Sequence, residues 1–177
     1  ASEYLGNNQR AGYTNATVPR ELVLKWTYEE RHAPRTAWPE PFGELQFVDF
    51  DYSDQVTIGE GMVYFGSSAD HTIRALDAGI GQENWVFYTE GPVRFAPVLY
   101  RDRVYAVSDD GHLYCLKALD GGMIWKRRLA PGPERCIGNE QMVSKWPCRS
   151  GVLIENGKLY TTAGMWSNDG VIIYCLD

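Results

Sequence analysis

An all-β fold of four-stranded antiparallel blades, a β-propeller, is predicted by three observations. The first is a phrase the chain says twice. Ala75-Leu76-Asp77-Ala78-Gly79-Ile80-Gly81-Gln82-Glu83-Asn84-Trp85 returns as Cys115-Leu116-Lys117-Ala118-Leu119-Asp120-Gly121-Gly122-Met123-Ile124-Trp125, which sets Trp85 and Trp125 40 residues apart, and Tyr174-Cys175-Leu176-Asp177 opens a third copy. A period of about 40 residues made of short β-runs is that of a propeller blade, whose strands cover one another and the next blade. The second is a succession of short apolar segments broken by turn-forming residues, Asn156-Gly157 and Asp110-Gly111 among them. The third is composition: 44% hydrophobic and 13% aromatic residues supply a folded β-rich core.

Taken in order, residues 1–21 read as a leader, and Leu22–Tyr28 as an outer strand with its own tryptophan, Trp26. No inner strands precede it, so it is assigned to a closing blade shared between the two ends of a propeller. A long link, Glu29–Asp54, leads to the first blade, 55–88, with strand A near Gln55–Ile58, B at Met62–Gly66, C at Thr72–Asp77 and D at Asn84–Tyr88. The second blade, 96–128, runs Ala96–Tyr100, Arg103–Val107, His112–Lys117 and Met123–Arg128. After a second long link, Ala130–Arg149, the partial blade 150–177 offers Gly151–Glu155, Lys158–Thr162 and Val171–Leu176. A closed ring takes roughly four or more blades. The chain therefore reads as an N-terminal portion of one propeller, completed by further blades or by another protein chain.

Charge and hydropathy exclude some partners. The net charge is −6, with no Lys/Arg-rich run, which argues against nucleic acid. No apolar stretch reaches transmembrane length.

The repeated phrase carries a resemblance. It is similar to the tryptophan-docking motif of pyrroloquinoline-quinone (PQQ) dehydrogenases and their non-enzymatic relatives, Ala-x-Asp-x-x-Thr-Gly-x-x-x-Trp. Ala75, Asp77, Gly81 and Trp85 match, with Ile80 in place of threonine; Gly121 and Trp125 match, while Cys115, Lys117 and Asp120 depart. Gly6-Asn7-Asn8-Gln9-Arg10-Ala11-Gly12-Tyr13 resembles a leader found before such propellers in exported bacterial proteins. The stretch from Arg135 through Ser150 resembles a segment of one exported PQQ-like subgroup. The resemblance implies an exported, periplasmic, envelope or extracellular setting and a binding or scaffold role. It equally admits a PQQ- and calcium-dependent dehydrogenase of a sugar or alcohol with its catalytic residues elsewhere, or an interaction subunit of an envelope assembly. Physically, the glycine permits a positive-φ turn, the aspartate caps its amides, and the indole provides a broad apolar surface between blades. Trp85, Trp125, Gly81, Gly121 and Asp77 are thus read as structural.

Candidate site residues come from blade geometry. Strands alternate in direction, so D–A links and B–C turns share one face, and both long links fall on it. Aligning the blades places Arg94 opposite Arg149, each just before strand A, the innermost strand. Paired guanidinium groups suit a carboxylate or phosphate, so a small anionic ligand is one expectation. The structural alternative is that they tie down loop carbonyls or pair with the B–C aspartates. Trp146 and Trp166 lie in loops of that face, outside the docking motif, and serve either a ligand or partner, or packing beneath the loops. Asp70, Asp109, Asp110 and Asp169 could donate to calcium, but hairpin turns favour the same residues. Cys136 and Cys148 bracket one link, and export would permit a disulfide between them. Cys115 and Cys175 occupy one strand position in successive blades and are read as buried free thiols. His32, His71 and His112 are scattered and give no zinc spacing, so no metal site is assigned.

Overall fold

A computed structural model describes residues 17, 19–39 and 53–177. The leader motif at Gly6–Tyr13 lies outside the described residues. Thirteen strands and no helix are found among those described. The first blade is β1 (Val56–Gly59), β2 (Met62–Ser67), β3 (Thr72–Asp77) and β4 (Glu83–Tyr88). The second is β5 (Val98–Tyr100), β6 (Arg103–Val107), β7 (His112–Lys117) and β8 (Met123–Arg128). Each is a four-stranded meander, paired antiparallel in sequence order. A separate hairpin, β9 (Arg135–Gly138) and β10 (Gln141–Ser144), stands in the second long link. The partial blade is β11 (Leu153–Glu155), β12 (Lys158–Ala163) and β13 (Ile172–Leu176).

Turn chemistry sets the strand boundaries. Asn156 and Gly157, between β11 and β12, both take positive φ (53° and 79°), the pair of conformations a two-residue hairpin turn demands. Strand A of the second blade begins later than the expected Ala96, because Pro97 has no N–H to give to a ladder. Strand A of the third blade likewise starts at Leu153, beyond Gly151 with its φ of 70°.

The blades stack through their faces. One buried cluster joins Tyr64, Ile73 and Trp85 of the first blade to Val104, Tyr114 and Leu116 of the second. Another joins Val98, Leu113 and Cys115 to Ile154, Leu159 and Ala163 of the third. The A strands neighbour one another, β1 beside β5 and β5 beside β11, as innermost strands must. Thr57 Oγ1 reinforces that line by donating to the Pro97 carbonyl at 2.6 Å.

The docking phrase works as a clasp. Trp85 Nε1 donates to the Ala118 carbonyl at 2.9 Å, and its ring lies over Gly121, where a Cβ would come within 2.6 Å of the indole. Trp26 repeats this on the preceding turn, donating to the Ala78 carbonyl at 3.1 Å, with a Gly81 Cβ position 2.5 Å from its ring. Gly81 and Gly121 also hold φ of 71° and 69°, so each needs glycine both for its backbone and for its clearance. Asp77 Oδ1 accepts from the amides of Gly79 and Ile80, capping the first turn. In the second, where Lys117 stands at that position, Asp120 Oδ1 accepts from Gly122 N instead.

Three further expectations, all at the outer strands of the blades, differ from the structure. Leu22–Tyr28 forms no hydrogen-bonded strand, since no C strand lies beside it among the described residues. It keeps the alternation of one: Trp26, Tyr28 and Glu30 face the first blade while Lys25, Thr27 and Glu29 are exposed. Cys175 is exposed rather than buried, because no fourth strand or further blade covers β13 among the described residues. Trp125 is half-buried and lines a groove of about 660 Å³ with Tyr105, Leu159 and Leu176. Among the described residues no turn covers its ring as the Ala118–Gly121 turn covers that of Trp85. Trp125→Ala is therefore expected to cost about 1–2 kcal/mol, below the value for a fully enclosed indole, as read from urea unfolding midpoints.

Candidate functional site

Backbone bonds tie the connection between the first two blades and the second long link to the B–C turns. Val93 N donates to the Ser67 carbonyl, Ser144 N to that of Asp109, and Cys148 N to that of Ser108. At these turns the structure brings Arg94 and Arg149 together on one carboxylate. Arg94 Nε donates to Asp109 Oδ2 at 2.7 Å; Arg149 Nε and Nη2 donate to Asp109 Oδ1 and Oδ2 at 3.0 and 2.8 Å. The three side chains are 1%, 8% and 1% exposed for Arg94, Arg149 and Asp109. Two guanidinium groups thus enclose a carboxylate supplied by the chain itself, at the B–C turn of the second blade.

The remaining donors of Arg94 extend this knot. Nη1 reaches the Arg35 carbonyl at 2.5 Å and Nη2 reaches Gln141 Oε1 at 3.4 Å. Gln141 Nε2 in turn donates to the Ser68 carbonyl, and Ser68 Oγ accepts from Arg35 N. Both links, two B–C turns and the approaches to two A strands are thereby joined through one buried polar network. Such a network rigidifies a face because each member left unpaired would be costly.

Beside the knot lies a cleft of about 380 Å³ lined by Trp38, Ile137, Lys145, Arg149, Met165 and Trp166 among others. Trp38 and Trp166 meet edge to face, with centroids 5.3 Å apart, and the Arg149 guanidinium sits 6.0 Å from the Trp38 ring. The outward nitrogen of Arg149, Nη1, has the Met165 thioether at 3.1 Å, a weak acceptor. Trp146 packs under the loop, its Nε1 donating to the Asp169 carbonyl at 2.6 Å, while Lys145 pairs with the Asp169 carboxylate at 2.8 Å. Ile137 and Met142 pair across the β9–β10 hairpin and are 76% and 49% exposed; Trp166 is 47% exposed. Asn139 Nδ2 anchors the hairpin tip to the Thr36 and Trp38 carbonyls.

The expected Cys136–Cys148 disulfide is absent, and both residues are free thiols. Cys136 lies on the exposed β9, its Sγ toward the Ser144 carbonyl, whereas Cys148 is packed in the core between the second and third blades. Burial raises the Cys148 thiol well above its usual range, and the nearby Asp110 and Asp109 add to that, so it stays protonated.

The loop aspartates are engaged within the protein. Asp70 accepts from Thr72 Oγ1 and Arg74, Asp109 from the two arginines, and Asp110 from Tyr114 and His112 N; Asp169 pairs with Lys145. Among the described residues no group of three or more His, Cys, Asp or Glu side chains could hold a metal ion. Sequence reasoning missed Trp38, and it missed the β9–β10 hairpin, whose Asn139-Glu140 turn lacks glycine although both residues take positive φ (46° and 65°).

A family model described as outer membrane protein assembly factor BamB matches residues 46–164. Among solved structures, the chain is similar to BamB from Moraxella catarrhalis at 13% identity and a TM-score of 0.40, covering 71% of this chain and 51% of that one. It is similar to the quinohemoprotein alcohol dehydrogenases of Pseudomonas putida HK5 (TM-score 0.49) and Comamonas testosteroni (TM-score 0.47). Each is 18% identical, over 62% of this chain and 16% of theirs. The chain thus spans about half the length of the first of these relatives and about a sixth of the others. No curated protein matches it.

Proposed function

The chain belongs to the PQQ-like β-propeller family described as outer membrane protein assembly factor BamB, and from that premise we propose that it is an exported binding and scaffold module. Its partner is another protein, engaged on the face that carries the long links. One observation carries this reading: Ile137, Met142 and Trp166 are exposed on a face locked beneath by the Arg94–Asp109–Arg149 knot. Exposed apolar side chains on a rigid, polar-rimmed base are what a protein interface presents. Trp166 and Trp38 would anchor a partner side chain, Trp146 would hold the loop under it, and the outward edge of Arg149 would take a carboxylate that enters the cleft. Arg94, deeper in, would hold Asp109, and with it the base of this face, in place. The family description supports an exported setting. Among the described residues no helix is long and apolar enough to cross a membrane.

The test is site-specific photocrosslinking in the cells that make the protein. A crosslinker at Ile137 or Met142 should give one discrete protein adduct, lost on Trp166→Ala. A crosslinker at Asp102 or Glu155, on the opposite face, should give none. Equal adducts from both faces, or none from either, would remove the scaffold reading. Fractionation of the same cells checks the compartment.

A further inference from the structure

The segment that docks Trp26 ends on a buried acidic pair. Both carboxyl oxygens of Glu30 are shut off from solvent, and no donor group reaches them. The carboxyl of Asp54, at the other end of the first long link, stands within hydrogen-bond reach. Two carboxylates are both acceptors, so this contact forms only when one of them carries a proton. We propose that the Glu30–Asp54 pair is a proton-operated fastener: its shared proton holds the Trp26–Glu30 segment on the first blade, and loss of that proton loosens it.

The surroundings set the direction. Burial, then the charge of Asp54 and the hydrogen bond to it, pushes Glu30 up to about 7, and burial raises Asp54 as well. Asp70, on the B–C turn, adds negative charge. Although burial works the other way, bonds from Thr72, Arg74 and Ser67 keep the Asp70 carboxyl below its usual range, so it remains an anion beside the pair. Arg74 on β3 is the opposing cation, held between Asp70 and Glu83 of β4. Tyr28, Glu29, Arg31 and His32 bring the groups of the segment itself into the same cleft of about 350 Å³. Arg74 is already shared by two carboxylates, so it does not neutralise a third charge on Glu30.

The sign follows from proton counting. Between the ordinary glutamate range and about pH 7 the docked segment holds a proton that the released segment gives up. Docking is therefore strongest below that window and weakens as pH rises through it. The opening equilibrium changes by at most about tenfold per pH unit. Trp26 reports the change, because it shares the docked face with Tyr28, which meets Phe65 edge to face at 5.6 Å, and with Glu30.

The experiment is fluorine NMR of the full chain labelled with 5-fluorotryptophan, with the Trp26 signal assigned through W26F, between about pH 4 and 8.5. The Trp26 signal should move from docked toward solvent-exposed between the ordinary glutamate range and about pH 7, and level off above that. In E30Q, whose amide donates to Asp54 at every pH, it should stay docked. D54N, which removes the second charge, should likewise hold the docked signal to higher pH. H32Q should keep the wild-type response. A wild-type signal that ignores pH overturns the proposal, as does a response that survives unchanged in both E30Q and D54N.

Discussion

Replacing Asp109 with alanine is expected to destabilise the protein by about 3–5 kcal/mol, the cost of removing one partner from a buried ion pair. Here the change strands two guanidinium groups, Arg94 and Arg149, whose side chains are 1% and 8% exposed. Water cannot reach them without opening the links, and the other acceptors of Arg94, the Arg35 carbonyl and Gln141, do not cancel charge. Asp109→Asn should cost less, because it keeps the shape and one acceptor oxygen. Neither effect should fade at high salt, since screening is weak for a buried pair. By contrast, breaking the exposed Arg35–Glu140 pair, 44% and 83% exposed, should cost about 0–1 kcal/mol. Urea unfolding at low and high salt reads all three. An Asp109→Ala loss as small as that of the surface pair would mean that the knot contributes no stability.

Trp85→Ala is expected to cost about 3–5 kcal/mol, the usual range for deleting a buried large aromatic. The ring is 8% exposed, sits in the cluster that joins the first two blades, and donates to the Ala118 carbonyl. Removing it leaves a cavity between blades and leaves the Ala118 carbonyl with only the long 3.5 Å bond from Tyr64 Oη. Gly121→Val attacks the same clasp from the other side, placing a Cβ 2.6 Å from the indole on a backbone with φ of 69°. The two changes should be strongly non-additive, because either alone undocks the ring. A double variant whose loss equals the sum of the single losses would show that ring and glycine act independently.

Much of the fold was legible because hairpin chemistry is local. β3, β6, β7 and β8 fall on the expected residues, since Asp-Gly and Gly-Gly turns fix both register and ends. The β9–β10 hairpin was not legible: Glu140 occupies a left-handed conformation that glycine usually marks, held there by tertiary contacts from Asn139 to the first long link. The Arg94–Arg149 equivalence was visible in the blade alignment, and pairing with a B–C aspartate was one of its two readings, but that both arginines share a single aspartate was not. Asp109 reads as an ordinary turn residue, and only the direction of that turn aims its carboxylate between two blades. Glu30 and Asp54 sit at opposite ends of one long link, and nothing in their spacing announces that they touch. Sequence reports turns well because they are settled within a few residues; side chains converging from separate blades are settled by the stacking.

The clasp also has a direction in time. Trp26 finds its carbonyl 52 residues downstream and Trp85 finds its own 33 residues downstream, always on the following blade. During synthesis a finished blade must therefore wait for the next blade's third strand and turn before its indole is covered. At about 5–20 residues per second, the 33-residue gap corresponds to roughly 2–7 s with a tryptophan exposed at the growing edge. Folding can then advance only one blade behind the ribosome, and a stall anywhere in the array leaves an uncovered indole for chaperones or proteases to meet.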